Sequence, residues 1–219
     1  MDYKAILFGS IGTLIESSNI QRNSFNEAFK EAGLDWYWDE QDYKILLKKS
    51  GGTKRVEDFA EKNNVNVNAS KIRNRKTEIF SSFIMKNKQK LRKSVNEIIN
   101  FTKKNNVKLA LSTSTTINNV EAVFKSLSNQ ISKEDFHFIG NRSLVKYEKP
   151  NPEIYKLTLE KLNLEPDNCL AIEDTEESSK SALSAGIKCI GFPGDYHSDD
   201  SFEMCIKKVK ILDQSLFSL

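Results

Sequence analysis

Short, almost wholly apolar runs alternate along this chain with stretches of helical period, and no other feature constrains the fold as much. Ala5-Ile6-Leu7-Phe8, Leu109-Ala110-Leu111, Phe138-Ile139, Cys169-Leu170-Ala171-Ile172 and Cys189-Ile190-Gly191-Phe192 carry no charged side chain. A strand with one wet face alternates apolar and polar residues, whereas a strand covered on both faces, as in a parallel sheet, is apolar throughout. Between these runs, Phe25, Ala28, Phe29 and Ala32 fall at i, i+3, i+4 and i+7. Val120, Val123, Phe124 and Leu127 repeat that spacing, and Val95, Ile98 and Ile99 begin it. Asn151-Pro152 is a helix start, with a capping side chain and a proline in the first turn. Ala185-Gly186 closes the helix that follows Asp174. Strand and helix in alternation predict an α/β fold, a doubly wound parallel sheet with right-handed crossovers. The stretch 17–90 breaks the alternation. It holds helical periods, a Gly51-Gly52 turn and an Asn-rich tract over 63–68 that reads as a solvated loop, but no buried strand. It predicts a small helical domain, 17–90, inserted into an α/β core made of 1–16 and 91–219.

Composition narrows the function classes. The longest apolar runs are four or five residues, against the roughly 20 a membrane helix needs, so no membrane partner is expected. Thirty-three basic and 30 acidic residues leave a net charge of +3, too weak and dispersed for a nucleic-acid partner. The start Met1-Asp2-Tyr3-Lys4 has no basic region before a long apolar one, so a secretory signal is not expected. The three cysteines, Cys169, Cys189 and Cys205, cannot all pair, and they read as reduced thiols of a cytoplasmic protein. Cys169 and Cys189 sit at strand positions and read as packing residues. His137 and His197 are the two histidines, and no His/Cys spacing suggests zinc.

Ligands of open parallel sheets bind beyond the carboxyl ends of the strands, so the residues after each apolar run matter most. They are Gly9-Ser10-Ile11-Gly12-Thr13, then Ser112-Thr113-Ser114-Thr115-Thr116, then Lys146-Tyr147-Glu148-Lys149-Pro150, then Glu173-Asp174-Thr175. Backbone N–H groups, hydroxyls and an ammonium are phosphate ligands, and paired acids hold hard cations.

In that order and spacing the chain resembles the haloacid dehalogenase superfamily, in its CbbY/β-phosphoglucomutase-like branch with a helical cap. Phe8-Gly9-Ser10-Ile11-Gly12-Thr13-Leu14 stands in the place of the first motif, F-D-x-D-G-T-L. Residues 109–114 resemble the second, with Thr113 in the hydroxyl position. Lys149-Pro150-Asn151-Pro152 resembles the third, and Ala171-Ile172-Glu173-Asp174 the fourth. Gln21-Arg22-Asn23-Ser24-Phe25 looks like the first cap helix, and Gly51-Gly52-Thr53-Lys54-Arg55 like the cap's substrate loop. The resemblance implies an aspartate nucleophile that becomes an aspartyl phosphate, a second aspartate as general acid and base, and Mg²⁺ held by the nucleophile and a fourth-motif acid.

This chain departs where the chemistry is concentrated. The nucleophile position is Gly9 and the acid/base position is Ile11, so no catalytic residue is retained at either. Ser10 is a poor substitute, since strand alternation turns its side chain to the other face. Gln21 replaces a histidine near the cap's hinge, and Ser178 a glycine of the fourth motif, which implies relaxed demands on cap closure. Without a side chain at 9, Glu173 and Asp174 are expected to hold Mg²⁺ only weakly. What survives is a phosphate cradle of Gly12, Thr13, Thr113, Ser114 and Lys149, with Lys54 and Arg55, as the resemblance implies, gripping a second anionic group. The expected function is binding of a phosphorylated small molecule without phosphoaspartyl catalysis. One alternative is an active sugar-phosphate phosphatase working through Glu16, Asp174 or Ser10. The other is a protein-interaction role with a vestigial pocket.

Overall fold

The computed structural model describes residues 3–48 and 51–218; Met1 and Asp2, part of the N-terminal reading, lie outside them. In chain order, β1 is Ala5–Phe8 and α1 Ile11–Leu14. The helices α2 Ser18–Glu31, α3 Glu40–Leu47, α4 Gly52–Lys62 and α5 Ala69–Lys86 follow, then α6 Val95–Lys104. The rest is β2 Lys108–Ser112, α7 Ile117–Ser126, β3 Phe138–Gly140, α8 Glu153–Leu162, β4 Cys169–Glu173, α9 Glu176–Ser184, β5 Lys188–Gly191 and β6 Lys207–Lys208. The six strands form one sheet in the order β3-β2-β1-β4-β5-β6, and every pairing is parallel.

The five apolar runs are therefore strands, and the sheet explains why they lack polar alternation. Ile6, Phe8, Leu109, Leu111, Leu170 and Ile172 point into one layer, packed on α6 and α7 residues such as Ile98, Ile99 and Val123. Their neighbours Ala5, Leu7, Ala110, Cys169 and Ala171 point into the other, against Ile154, Tyr155 and Ala182 of α8 and α9. Period-two alternation thus buries both sets. β6 was not foreseen: its two lysines are exposed, and backbone pairing with Ile190 and Gly191 places it.

Among the described residues, the stretch between β1 and α6 contains helices but no strand. Phe25, Phe29, Trp38, Tyr43, Val56 and Ile72 form an apolar cluster there, joined by Tyr196 from the segment after β5. α5 also reaches the first sheet layer through Phe80 and Ile84. β1 lies between β2 and β4, where the strand order reverses, so the loops after these three strands meet at a topological switch point.

Candidate functional site

β1 ends where Gly9 N donates to Ile172 O at 2.9 Å, and the chain turns at once into α1. Ser10 caps that helix in extended conformation, its Oγ accepting from Thr13 N at 3.2 Å. Because strand alternation stops at Phe8, Ser10 does not turn to the far face as expected. It lines the cavity and donates to Asp174 Oδ1 at 2.8 Å. The other Asp174 oxygen closes over Gly12, where an added Cβ would lie 1.8 Å from Oδ2. Glycine at 12 therefore admits Asp174. Thr13 does not join the cradle: it is fully buried, and its hydroxyl turns back to donate to Ser10 O at 2.6 Å.

The position of Glu173 is the main departure from expectation. Its side chain runs beneath Gly9, where an ideal Cβ on residue 9 would fall 2.0 Å from Glu173 Cδ and 2.1 Å from Oε1. The carboxylate fills the volume that a side chain at 9 would enter. Lys149 Nζ donates to Glu173 Oε1 and to Gly9 O, both at 2.5 Å. Tyr155 OH donates to the same carboxylate oxygen at 2.7 Å, and Oε2 is buried without a partner. Burial raises the Glu173 carboxyl, against the opposing pull of Lys149. Burial, then the Glu173 charge, holds the Tyr155 phenol well above its usual range. Lys149 also donates from its backbone N to Ser114 Oγ at 3.2 Å, and the Lys149–Pro150 peptide is cis.

Above this floor lies a cavity of about 350 Å³, within the range of small-ligand sites. Gly12, Thr113, Ser114 and Lys149 line it from the sheet side, so the structure brings together most of the expected cradle. From the helical insertion come Gln21, Arg55, Arg73 and Lys76. Lys54 does not join them. The expected substrate loop is the first turn of α4, and adjacent helical residues point about 100° apart. Lys54 faces solvent, paired with Asp58 at 2.6 Å, while Arg55 turns inward, with Nε donating to Leu46 O at 3.0 Å.

Arg73 and Lys76 were missed. They sit one helical turn apart on α5 within the basic tract Lys71-Ile72-Arg73-Asn74-Arg75-Lys76, where cations on every side hide which face is inward. Lys76 donates to Gln21 Oε1. Burial, then the charges of Arg73 and Arg55, pull its amine down to about 7. Arg92, also missed, holds the loop from behind. Its guanidinium donates to Gly12 O and Phe192 O, both at 2.9 Å, and stacks 3.6 Å from the Phe192 ring. Four basic side chains and one carboxylate, Asp174, line the cavity among the described residues, so the space favours an anion.

A hard cation fits this arrangement poorly. Mg²⁺ needs near-octahedral oxygen ligands. Glu173 is turned under Gly9 and bound by an ammonium, and Asp174 is engaged with Ser10. Among the described residues, no three His, Cys, Asp or Glu side chains converge to hold a metal. The expected Glu173–Asp174 pair is thus split between two roles. His137 is structural, its Nδ1 accepting from Leu109 N at 3.2 Å. His197 lines the cavity and contacts Asp200 Oδ2 at 2.8 Å.

Fold and rim together define an α/β protein of the haloacid dehalogenase type. A model of the haloacid dehalogenase-like hydrolase family matches residues 3–186, and the chain belongs to that family. It is 33% identical over 202 residues to Protein CbbY of Cereibacter sphaeroides, covering 91% of this chain and 88% of that protein. The crystal structure of CbbY from Rhodobacter sphaeroides in complex with phosphate superposes with a TM-score of 0.87 at 30% identity, covering 99% of this chain and 100% of that one. A mutant CbbY from the same organism, in complex with xylulose-(1,5)bisphosphate, superposes with a TM-score of 0.84 at 31% identity, covering 95% and 94%. No helix among the described residues is long and apolar enough to cross a membrane.

Proposed function

We propose that this protein binds a phosphorylated small molecule, in the first instance a sugar bisphosphate, without phosphoaspartyl catalysis. The observation that carries this reading is the Glu173 carboxylate lodged in the side-chain volume of residue 9. Glu173 is fully buried, does not line the cavity and is bound by Lys149, so it is no replacement nucleophile. Ile11 offers no proton. Glu16 is spoken for, its two oxygens accepting from Ser18 N at 2.8 Å and Asp195 N at 2.9 Å. In this reading the segment 17–90 acts as a cap over a core of 1–16 and 91–219. One phosphate sits by Thr113, Ser114 and Lys149, and the second by Arg55, Arg73 and Lys76. The xylulose bisphosphate bound by the CbbY structure is the ligand class to try first.

With Mg²⁺ present, sugar phosphates are expected to turn over far below the roughly 1 s⁻¹ at the slow end of ordinary enzymes. Xylulose 1,5-bisphosphate at a hundred times its dissociation constant is expected to stabilise the fold by about 2.7 kcal/mol. Arg73→Ala should remove the excess of that shift over the shift given by inorganic phosphate. Silence across a panel of sugar phosphates overturns the binding reading. The Ser10–Asp174 hydrogen bond favours a second reading, hydrolysis by another route. A rate near 1 s⁻¹ that disappears in both Ser10→Ala and Asp174→Asn would establish it.

The cap-side phosphate carries a proton signature. With its amine pulled down to about 7, Lys76 is largely neutral at pH 8, and a bound dianion favours its charged form. Bisphosphate binding at pH 8 is therefore expected to take up a proton, and affinity should fall as pH rises above about 7. Calorimetry in buffers of different ionisation heat measures the uptake, which Lys76→Met should abolish.

A further inference from the structure

Two cysteines that play no part in the cavity meet at the far edge of the sheet. The parallel register pairs Ile190 with Lys207 and Gly191 with Lys208. One step earlier, Ile206 N donates to Cys189 O at 2.9 Å. This brings Cys205 beside Cys189, and both side chains pack in the same apolar layer, against residues such as Ala171 and Ala182. Cys189 is buried and Cys205 half-buried. The two neighbouring thiols are unequal. The Cys205 thiol beside it, then burial, holds the Cys189 thiol well above its usual range. The Cys189 thiol, helped by the Ser179 hydroxyl and opposed by burial, lowers that of Cys205. Cys169 lies elsewhere on β4, its thiol raised to about 11 by burial.

We propose that Cys205 and Cys189 form an oxidisable dithiol, with Cys205 attacking a peroxide and Cys189 resolving the product into an intrachain disulfide. The more exposed and more acidic thiol is the one that oxidants reach first, and a neighbouring cysteine traps the sulfenic acid. In the first step the Cys205 thiolate forms an S–O bond as the peroxide O–O bond breaks, and the leaving hydroxide takes a proton to become water. In the second, the Cys189 sulfur attacks the Cys205 sulfur. An S–S bond forms, the S–O bond breaks, and the hydroxyl leaves as water with the Cys189 proton. The two thiols lose two electrons and one hydrogen peroxide gains them. The disulfide would close residues 190–204, a segment tied to the site. Within it, Gly194 N donates to Asp174 O at 3.2 Å, and Tyr196 OH donates to Asn19 Oδ1 at 2.6 Å. The inference does not depend on what the cavity binds.

The test uses the full reduced chain and near-stoichiometric hydrogen peroxide. The intact mass should fall by two hydrogens. Non-reducing peptide mapping should join the Cys189 and Cys205 peptides and leave Cys169 open to alkylation after denaturation. Cys189→Ser should accumulate a dimedone-reactive sulfenic acid at Cys205, and Cys205→Ser should lose the fast oxidation. The wild-type map stands even if either variant folds poorly. A map showing Cys205 in intermolecular disulfides, Cys205 over-oxidised without a cross-link, or no modification of Cys205 at all would overturn the proposal.

Discussion

Lys149→Met is expected to destabilise the fold by about 3–5 kcal/mol, the usual penalty for removing one partner of a buried ion pair. That is on the order of 10 °C in Tm for a chain of this length. Lys149 and Glu173 are 7% and 0% exposed in their side chains, so no solvent replaces the lost contact, and Tyr155 alone remains to satisfy the carboxylate. The loss has a pH signature. Glu173 already has a raised carboxyl in the fold, and without the ammonium it rises further. A carboxyl raised in the folded state supports stability below its unfolded value near 4.5 and loses that support as pH rises through the folded value. The variant's deficit should therefore be small at pH 4–5 and full at pH 8, as read by denaturant melts at each pH. Glu173→Gln in the same chain should recover most of the deficit, because it removes the stranded charge. A deficit independent of pH, or untouched by Glu173→Gln, would show that the pair is not what Lys149 holds together. Phosphate stabilisation should vanish in both variants, since each lacks the ammonium that a ligand must share with Glu173.

The sheet was legible because it is buried on both faces. Runs such as Ala5-Ile6-Leu7-Phe8, short and without polar alternation, read as interior strands, but their register was not legible, because β1 pairs with β2 and β4 across long helical stretches. β6 was not legible, because two exposed lysines carry no hydrophobic signal and are placed by backbone pairing. At the site, residue types were legible and directions were not. Lys54 and Arg55 are neighbours in sequence, and the helical start at Gly52 separates them. Ser10 and Thr13 were misdirected because α1 begins at Ile11, ending the strand alternation early. The partner of Lys149 was beyond a motif reading. Glu173 lies 24 residues away, and the space it fills exists because residue 9 has no side chain. That coupling is a property of volume, not of spacing.

Gly9→Asp tests that volume directly. Since an ideal Cβ at 9 falls 2.0 Å from Glu173 Cδ, the new side chain and the present Glu173 conformation exclude each other. Glu173 must leave Lys149 and Tyr155 for the rim, where it joins Asp174 and the introduced carboxylate. Three carboxylates together repel one another and raise their own pKa values, so without a divalent ion Gly9→Asp should lose about 2–4 kcal/mol, a typical range for overpacking combined with an unpaired charge. The same convergence supplies the oxygen ligands that the natural chain lacks, so Mg²⁺ at a hundred times its dissociation constant should now stabilise the variant by about 2.7 kcal/mol, read as a higher Tm, while leaving the natural protein unmoved. Ile11→Asp alone should change little in hydrolysis, because it has no nucleophile to assist. Gly9→Asp with Ile11→Asp should show phosphatase activity that depends on Mg²⁺. Arg92 holds the backbone of this loop from behind through Gly12 O, so the substitutions test the side-chain volume and leave the turn in place. A Gly9→Asp protein as stable as the natural one without Mg²⁺, and indifferent to the ion, would show that Glu173 does not occupy that volume in solution. The reading of the site as a phosphate cradle sealed by its own glutamate would then fail.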